Sequence, residues 1–149
     1  MDIKHFLSEG DALVDVRAPD KTRLLKDLCA RAAKARKLDA ESIASEILKR
    51  EDLGSTGVGG GIALPHARIA DLAAPFGLIA RLRKPIDFHA IDGQPVDIVF
   101  LLLLPQAAAG EQLNALAAVA RRLRDQKVVQ ALRAAPDSSI LYRTLIAQG

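Results

Sequence analysis

Val96-Asp97-Ile98-Val99-Phe100-Leu101-Leu102-Leu103-Leu104, closed by Pro105, is the stretch that decides how this chain folds. Apart from Asp97 it is apolar throughout. A strand with one wet face alternates polar and apolar residues, and this one does not. A run that is apolar on both faces needs cover on both sides, as at the centre of a sheet flanked by helices. It is far shorter than the roughly 20 residues that a bilayer-spanning helix requires.

Outward from this run, Phe76–Leu82 reads as a second strand, ended by Arg83-Lys84-Pro85. Residues Phe88 to Gln94 read as a loop that turns at Asp92-Gly93. Ile62-Ala63-Leu64 and Ala12–Val16 are shorter apolar strands. Asp20 stands at an N-cap position before Leu24, Leu25, Leu28, Cys29 and Ala32, which recur at helical spacing. Asp39 caps a second helix with Ile43, Ile47 and Leu48 on its inner face. Glu111–Arg124, Lys127–Arg133 and a segment opened by Pro136-Asp137 complete the helices. The predicted order is β-α-α-β-β-β-α-α-α, a single α/β (α+β) domain over residues 1–149 with helices packed on a mixed sheet. Gly54–Gly61 holds five glycines in eight residues, a density at which no regular helix or strand is expected.

Of the 149 residues, 50% are hydrophobic, 3% aromatic and 26% charged, the balance of a folded globular domain built on aliphatic side chains. Lys and Arg number 21 against 18 Asp and Glu, so the net charge of +3 and the pI near 9.2 describe a weak field. With four Phe, one Tyr and no Trp, a stacking surface for nucleic acid is not expected. A single cysteine, Cys29, excludes an intrachain disulfide and reads as a small core residue. With no apolar leader after Met1-Asp2-Ile3-Lys4-His5, the expected compartment is the cytoplasm, with no membrane insertion.

The chemistry is concentrated in Arg50–Arg68. The segment lacks the Gly-Lys-Ser/Thr of a P-loop, the third glycine of G-x-G-x-x-G, and a G-x-S-x-G elbow. His5, His66 and His89 make no metal-ligand spacing, and neither metal nor cofactor is expected. What remains is His66 directly after a glycine- and hydroxyl-rich loop. Pro65 fixes its own φ and pushes Leu64 to an extended conformation, so the imidazole is stiffly placed. Such a group suits nucleophilic catalysis. A phosphoryl group taken up by His66 would need donors. Backbone N–H groups of Gly57 and Gly59, the Ser55 and Thr56 hydroxyls, and the Arg50 or Arg68 guanidinium are the candidates.

The residues Arg50–His66 fit the pattern R-E-x-x-x-S-T-G-x-G-x-G-x-A-x-P-H. With Pro85–Asp97 and Leu116–Leu132, they make the chain resemble the IIA components of the phosphotransferase system, in the mannitol/fructose/nitrogen-regulatory family. Within it, the likeness is greatest to the nitrogen-regulatory branch, without an attached permease or phosphocarrier domain. The resemblance implies a three-layer α/β/α sandwich and an enzyme of the phosphotransferase class. It implies that His66 accepts a phosphoryl group from a histidine phosphocarrier protein, with Arg50 as charge partner or loop-ordering residue. It also implies regulatory partners such as potassium transporters or sensor kinases. A sugar-type IIA that passes phosphate to a permease, and an interaction module that is never phosphorylated, are the alternatives.

One departure from the pattern matters. Where sugar-type and many regulatory members of the family carry a second histidine, this chain has Gln112. An amide still donates a hydrogen bond to a phosphoryl oxygen, but it neither becomes cationic nor shuttles a proton. Phosphorylation of His66 is therefore expected to survive, while onward transfer is put in question. Because the donor is a protein, the His66 site should be shallow and rimmed by apolar residues. His5 reads as inert and His89 as a solvated loop residue. Arg121-Arg122-x-Arg124-x-x-Lys127 reads as a solvated face.

Overall fold

In the computed structural model, which describes residues 1–147, Val96–Pro105 is the strand on which the sheet is built. In chain order the elements are β1 (Leu7–Val16), α1 (Lys21–Arg36), α2 (Ala40–Asp52), β2 (Gly57–Gly59), β3 (Ile62–Ala63) and β4 (His66–Ile69). They continue with β5 (Phe76–Ile86), β6 (Val96–Pro105), α3 (Asn114–Arg124), α4 (Gln126–Ala134) and α5 (Ser138–Ile146). Short 3-10 turns lie at Ile3–His5 and Gly110–Gln112. The strand order is β1-β5-β6-β3-β2, with β4 also along β6. The sheet is mixed: β5 runs antiparallel to β6, while β1 is parallel to β5 and both β3 and β4 are parallel to β6.

Successive side chains of β6 point to opposite faces, and each face has its own helical layer. Val99, Leu101 and Leu103 pack with Leu24, Leu28, Ile43 and Ile47 of α1 and α2. Ile98, Phe100, Leu102 and Leu104 pack with Ala115, Val119, Leu132 and Leu141 of α3–α5. This is the three-layer α/β/α sandwich, and it accounts for the unbroken apolar run. Each such fully buried aliphatic or aromatic side chain contributes about 1.5–3 kcal/mol. Gly77 lets the second core close: a Cβ there would stand 2.7 Å from the Phe100 ring, which meets Phe6 edge-on at 6.3 Å.

Asp20 and Asp39 cap α1 and α2, accepting from the N–H groups of Arg23 at 2.8 Å and Ser42 at 2.9 Å. Asp125 and Asp137 do the same for α4 and α5.

The structure corrects the predicted element order by inserting strands before Phe76. Gly57–Gly59 is a strand, β2, despite its glycines, because β3 offers it an antiparallel partner. The apolar segment that was expected to stop at Leu64 resumes as β4. Ile62 lies opposite Ile98 and His66 opposite Leu102, the same offset, so β3 and β4 are one line along β6. Pro65 interrupts that line because it has no N–H, yet its carbonyl still accepts from the Leu102 N–H at 2.9 Å. Likewise β5 passes through Arg83-Lys84-Pro85 to Ile86, with a register shift after Arg81. Pro85 is accommodated in that irregular stretch. The helix expected from Glu111 begins at Asn114, and Gln112 lies in the preceding 3-10 turn.

Candidate functional site

His66 opens β4, and its half-buried imidazole is fixed by its own backbone. Its Nδ1 lies 2.8 Å from the Leu64 carbonyl oxygen. A carbonyl only accepts, so this contact requires the ring hydrogen on Nδ1. The neutral ring then carries its lone pair on Nε2. By the register of the β3–β4 line, His66 shares a face with Ile62 and Leu64, which belong to the core under α3–α5.

Arg50, in the last turn of α2, donates from Nη1 to the Gly54 carbonyl at 2.9 Å. It thereby orders the turn that starts the glycine loop. Ser55 donates to the Phe88 carbonyl at 2.6 Å and accepts from the Gly57 N–H at 3.0 Å. The Thr56 hydroxyl donates to Glu51 Oε1, and its N–H donates to Glu51 Oε2 at 3.2 Å. The Ser55 hydroxyl hydrogen is thus engaged by Phe88, that of Thr56 by Glu51 of α2, and the Gly57 N–H by Ser55.

The glycine turn beyond β2 is held from two sides. Asp92 accepts from the Gly60 N–H at 3.0 Å and from the Gln94 N–H at 3.1 Å, bonds that hold its carboxyl below the usual range. Arg133 of α4 donates to the Gly60 carbonyl at 2.6 Å and grips Asp97 with two bonds of 2.9 Å. Gly61, at φ +82°, faces that guanidinium where any Cβ would collide with it.

On the other side of His66, Arg68 donates to the carbonyls of Gln106 and Ala108, both at 3.0 Å. It ties β4 to the segment that leads into the turn holding the half-buried Gln112. Large apolar side chains stand in solvent around these loops: Leu53 and Val58 on the glycine loop and Ile91 on the facing one, with Leu113 at the start of α3. Ala90 and Asp92 contact Gly57 and Gly59, so Ile91 lies beside the β2 hairpin. A groove of about 620 Å³ runs along the His66 face of the hairpin, lined by Val58, Ile62, Leu64, Leu123 and Arg124 among others.

Sequence reasoning passed over Glu51 and Lys21. Glu51 is 8% exposed, and its Oε2 lies 2.7 Å from Lys21 Nζ. Lys21 also donates to the Phe88 carbonyl at 3.3 Å and sits 4.8 Å from the centre of the Phe88 ring. Helical spacing could have found both. Glu51 follows Ile47 by four residues and Ile43 by eight, and Lys21 precedes Leu24, Leu25 and Leu28, so each lies on its helix's buried face.

The other singled-out residues lie elsewhere. His5 accepts from the Asp2 N–H near the N-terminus. His89 is exposed, with Nδ1 3.5 Å from Asp87. Cys29 is buried, and burial pushes its thiol pKa up to about 12. Of the basic run, Arg121, Arg124 and Lys127 are exposed, but Arg122 is not a solvated charge: it donates to the carbonyls of Leu145 and Thr144 and holds the end of α5. Among the described residues no three His, Cys, Asp or Glu converge as a metal site, and no helix is long and apolar enough to cross a membrane.

Comparison with known proteins is consistent with this geometry. Residues 5–148 match the family described as "Phosphoenolpyruvate-dependent sugar phosphotransferase system, EIIA 2". A nitrogen regulatory protein of Bradyrhizobium diazoefficiens is 42% identical over 97% of this chain and 95% of its own length. One of Pseudomonas aeruginosa is 38% identical over 97% and 94%. The crystal structure of nitrogen regulatory protein IIA-Ntr from Neisseria meningitidis superposes with a TM-score of 0.90 at 30% identity, covering 96% of this chain and 98% of that one.

Proposed function

The chain belongs to the EIIA 2 family of the phosphoenolpyruvate-dependent sugar phosphotransferase system and resembles its nitrogen regulatory proteins, and from that premise we propose that it is a phosphohistidine switch. Nε2 of His66 accepts a phosphoryl group from a nitrogen-type histidine phosphocarrier protein. The phosphorylation state then governs binding to regulatory targets, of which potassium transporters and sensor kinases are the expected kinds.

The observation that carries this reading is the bond between His66 Nδ1 and the Leu64 carbonyl. It fixes the tautomer whose Nε2 is nucleophilic, on a half-buried ring that a protein donor can reach. In the transfer, the donor's N–P bond breaks as the bond from Nε2 to phosphorus forms. Nδ1 keeps its hydrogen, and the Leu64 carbonyl stabilises the more positive ring that results. The transition state spreads charge over three equatorial oxygens, so positioning and hydrogen-bond donors supply most of the catalysis. With the hydroxyl hydrogens of Ser55 and Thr56 and the Gly57 N–H already engaged, Arg50 and the amide of Gln112 are the side-chain donors best suited to the phosphoryl oxygens. Gln112 in place of an imidazole favours a protein that holds its phosphoryl group over one that relays it. The exposed Val58, Ile91 and Leu113 and the adjoining groove suit docking of a protein donor.

Intact-mass spectrometry after incubation with phosphoenolpyruvate and the purified donor proteins tests this. The expected result is an acid-labile gain of one phosphate in the wild type and none in His66→Ala. No gain with a donor shown to be charged would replace this reading with that of an unphosphorylated interaction module.

A further inference from the structure

We propose that Lys21, Glu51 and Thr56 are positioning residues for His66, acting through one continuous chain of hydrogen bonds. The inference rests on the reading of His66 as phosphoryl acceptor and adds what sets its reactive nitrogen. Lys21 Nζ lies 2.7 Å from Glu51 Oε2. Both oxygens of Glu51 then receive Thr56, one from the hydroxyl and one from the N–H. The Thr56 carbonyl accepts from the Leu64 N–H at 3.0 Å. The Leu64 carbonyl accepts from His66 Nδ1 at 2.8 Å. Every donor in this path is used once and in the correct sense, and Glu51 Oε2 accepts twice, from Lys21 and from the Thr56 N–H.

The path also explains why a charged pair is kept in the sandwich. The Glu51 side chain is 4% exposed and that of Lys21 16%. Such a pair adds little stability over an apolar one of the same size, so its use lies in fixing geometry. It joins the first residue of α1, the C-terminal end of α2 and the loop at Phe88 to a single residue, Thr56. Thr56 in turn holds the Ala63–Leu64 peptide by its N–H, beside β2. If the Leu64 backbone shifts, the carbonyl of the next peptide no longer faces Nδ1, and the ring is free to carry its hydrogen on Nε2. That tautomer has no lone pair at the nitrogen taken to attack the phosphoryl group.

The network makes a claim about the unphosphorylated protein, and this separates it from a phosphate-binding role for Thr56. In the full-length, ¹⁵N-labelled protein above the pH at which histidine is charged, long-range ¹H–¹⁵N spectra read which ring nitrogen carries the hydrogen. The wild type should show it on Nδ1. Thr56→Val, which keeps the shape and loses the hydroxyl, should show a mixture of tautomers. So should the double variant Lys21→Met/Glu51→Gln, which removes both charges and leaves no unpaired ion. Single-turnover acceptance of phosphate should slow on the order of tenfold in both, with the donor's KM unchanged. Thr56→Ser should restore most of what Thr56→Val loses. Wild-type tautomer and rate in either variant, with the fold intact by circular dichroism, would overturn the proposal. A wild type that gains no phosphate would remove the reading of His66 as acceptor, while the spectra would still decide whether the network sets its tautomer.

Discussion

Arg133 and Asp97 join α4 to β6 through two parallel bonds of 2.9 Å, and the same guanidinium reaches the Gly60 carbonyl at 2.6 Å. One side chain therefore fastens the glycine turn to both a helix and the central strand. The fork geometry is specific to arginine. Arg133→Lys should keep the charge yet lose the paired geometry, lowering unfolding stability by about 1 kcal/mol in urea titrations. Gly61→Ala should cost about 2–3 kcal/mol, because it adds strain at a positive φ to a collision with Arg133. A Gly61→Ala protein as stable as the wild type would show that the turn does not need this packing.

Cys29 supplies a prediction about reactivity. Burial in the core under α1 and α2 pushes its thiol to about 12, above the value of an exposed thiol. Only the thiolate is nucleophilic, so iodoacetamide at pH 8 should leave the folded protein unmodified and alkylate it once urea unfolds it. The linkage follows from the same shift. The raised value favours the neutral thiol in the folded state, so its contribution is fully present below the unfolded thiol's pKa of roughly 8.5. It is lost as pH rises from there toward about 12. Alkylation of the native protein at pH 8 at the rate of the unfolded chain would contradict this placement.

Asp92 acts at the opposite end of the pH scale. Its carboxyl is held below the usual range by the N–H groups of Gly60 and then Gln94. A lowered value favours the carboxylate in the folded state. The contribution to stability is therefore present above the unfolded carboxyl's pKa of about 3.9 and lost as pH falls through the lower folded value. Asp92→Ala should narrow the stability difference between pH 7 and pH 3. It should also speed amide exchange at Gly60, whose acceptor it removes. Unchanged exchange at Gly60 would mean that Arg133 alone holds the turn.

The parts of the fold and site legible in the sequence were those that repeat a period. The apolar run of β6 required two covering layers, and Asp20 and Asp39 each preceded an apolar series at helical spacing. His66 was legible as a candidate because Pro65 and the glycines isolate it. What escaped were features made by contacts far apart in the chain. β2 is a strand because β3 pairs with it, and five glycines in eight residues conceal that. β4 continues β3 in the same register across a proline that reads as a stop. Ser55 and Thr56 looked like free donors until Phe88 and Glu51, held by other elements, took their hydrogens. Arg122 looked like a solvated charge because nothing near it in sequence hints at the α5 carbonyls it meets.

Val58 and Ile91 carry the last prediction. Val58, in β2, is 55% exposed and Ile91, on the facing loop, 89%; the two segments are joined where Asp92 meets Gly60. Neither helps close the cores, so replacing either with a charge should leave folding nearly unchanged. If a protein donor docks over the glycine hairpin to reach His66, both side chains are covered in the complex. An aspartate there would have to lose its water without a partner. Val58→Asp and Ile91→Asp should each raise the donor concentration needed for half-maximal phosphorylation on the order of tenfold, with the rate at saturation maintained. A uniform loss of rate at saturating donor would place these residues in the chemistry instead of the docking. No effect of either on donor dependence would mean that the donor approaches His66 from the side of Arg68 and Gln112.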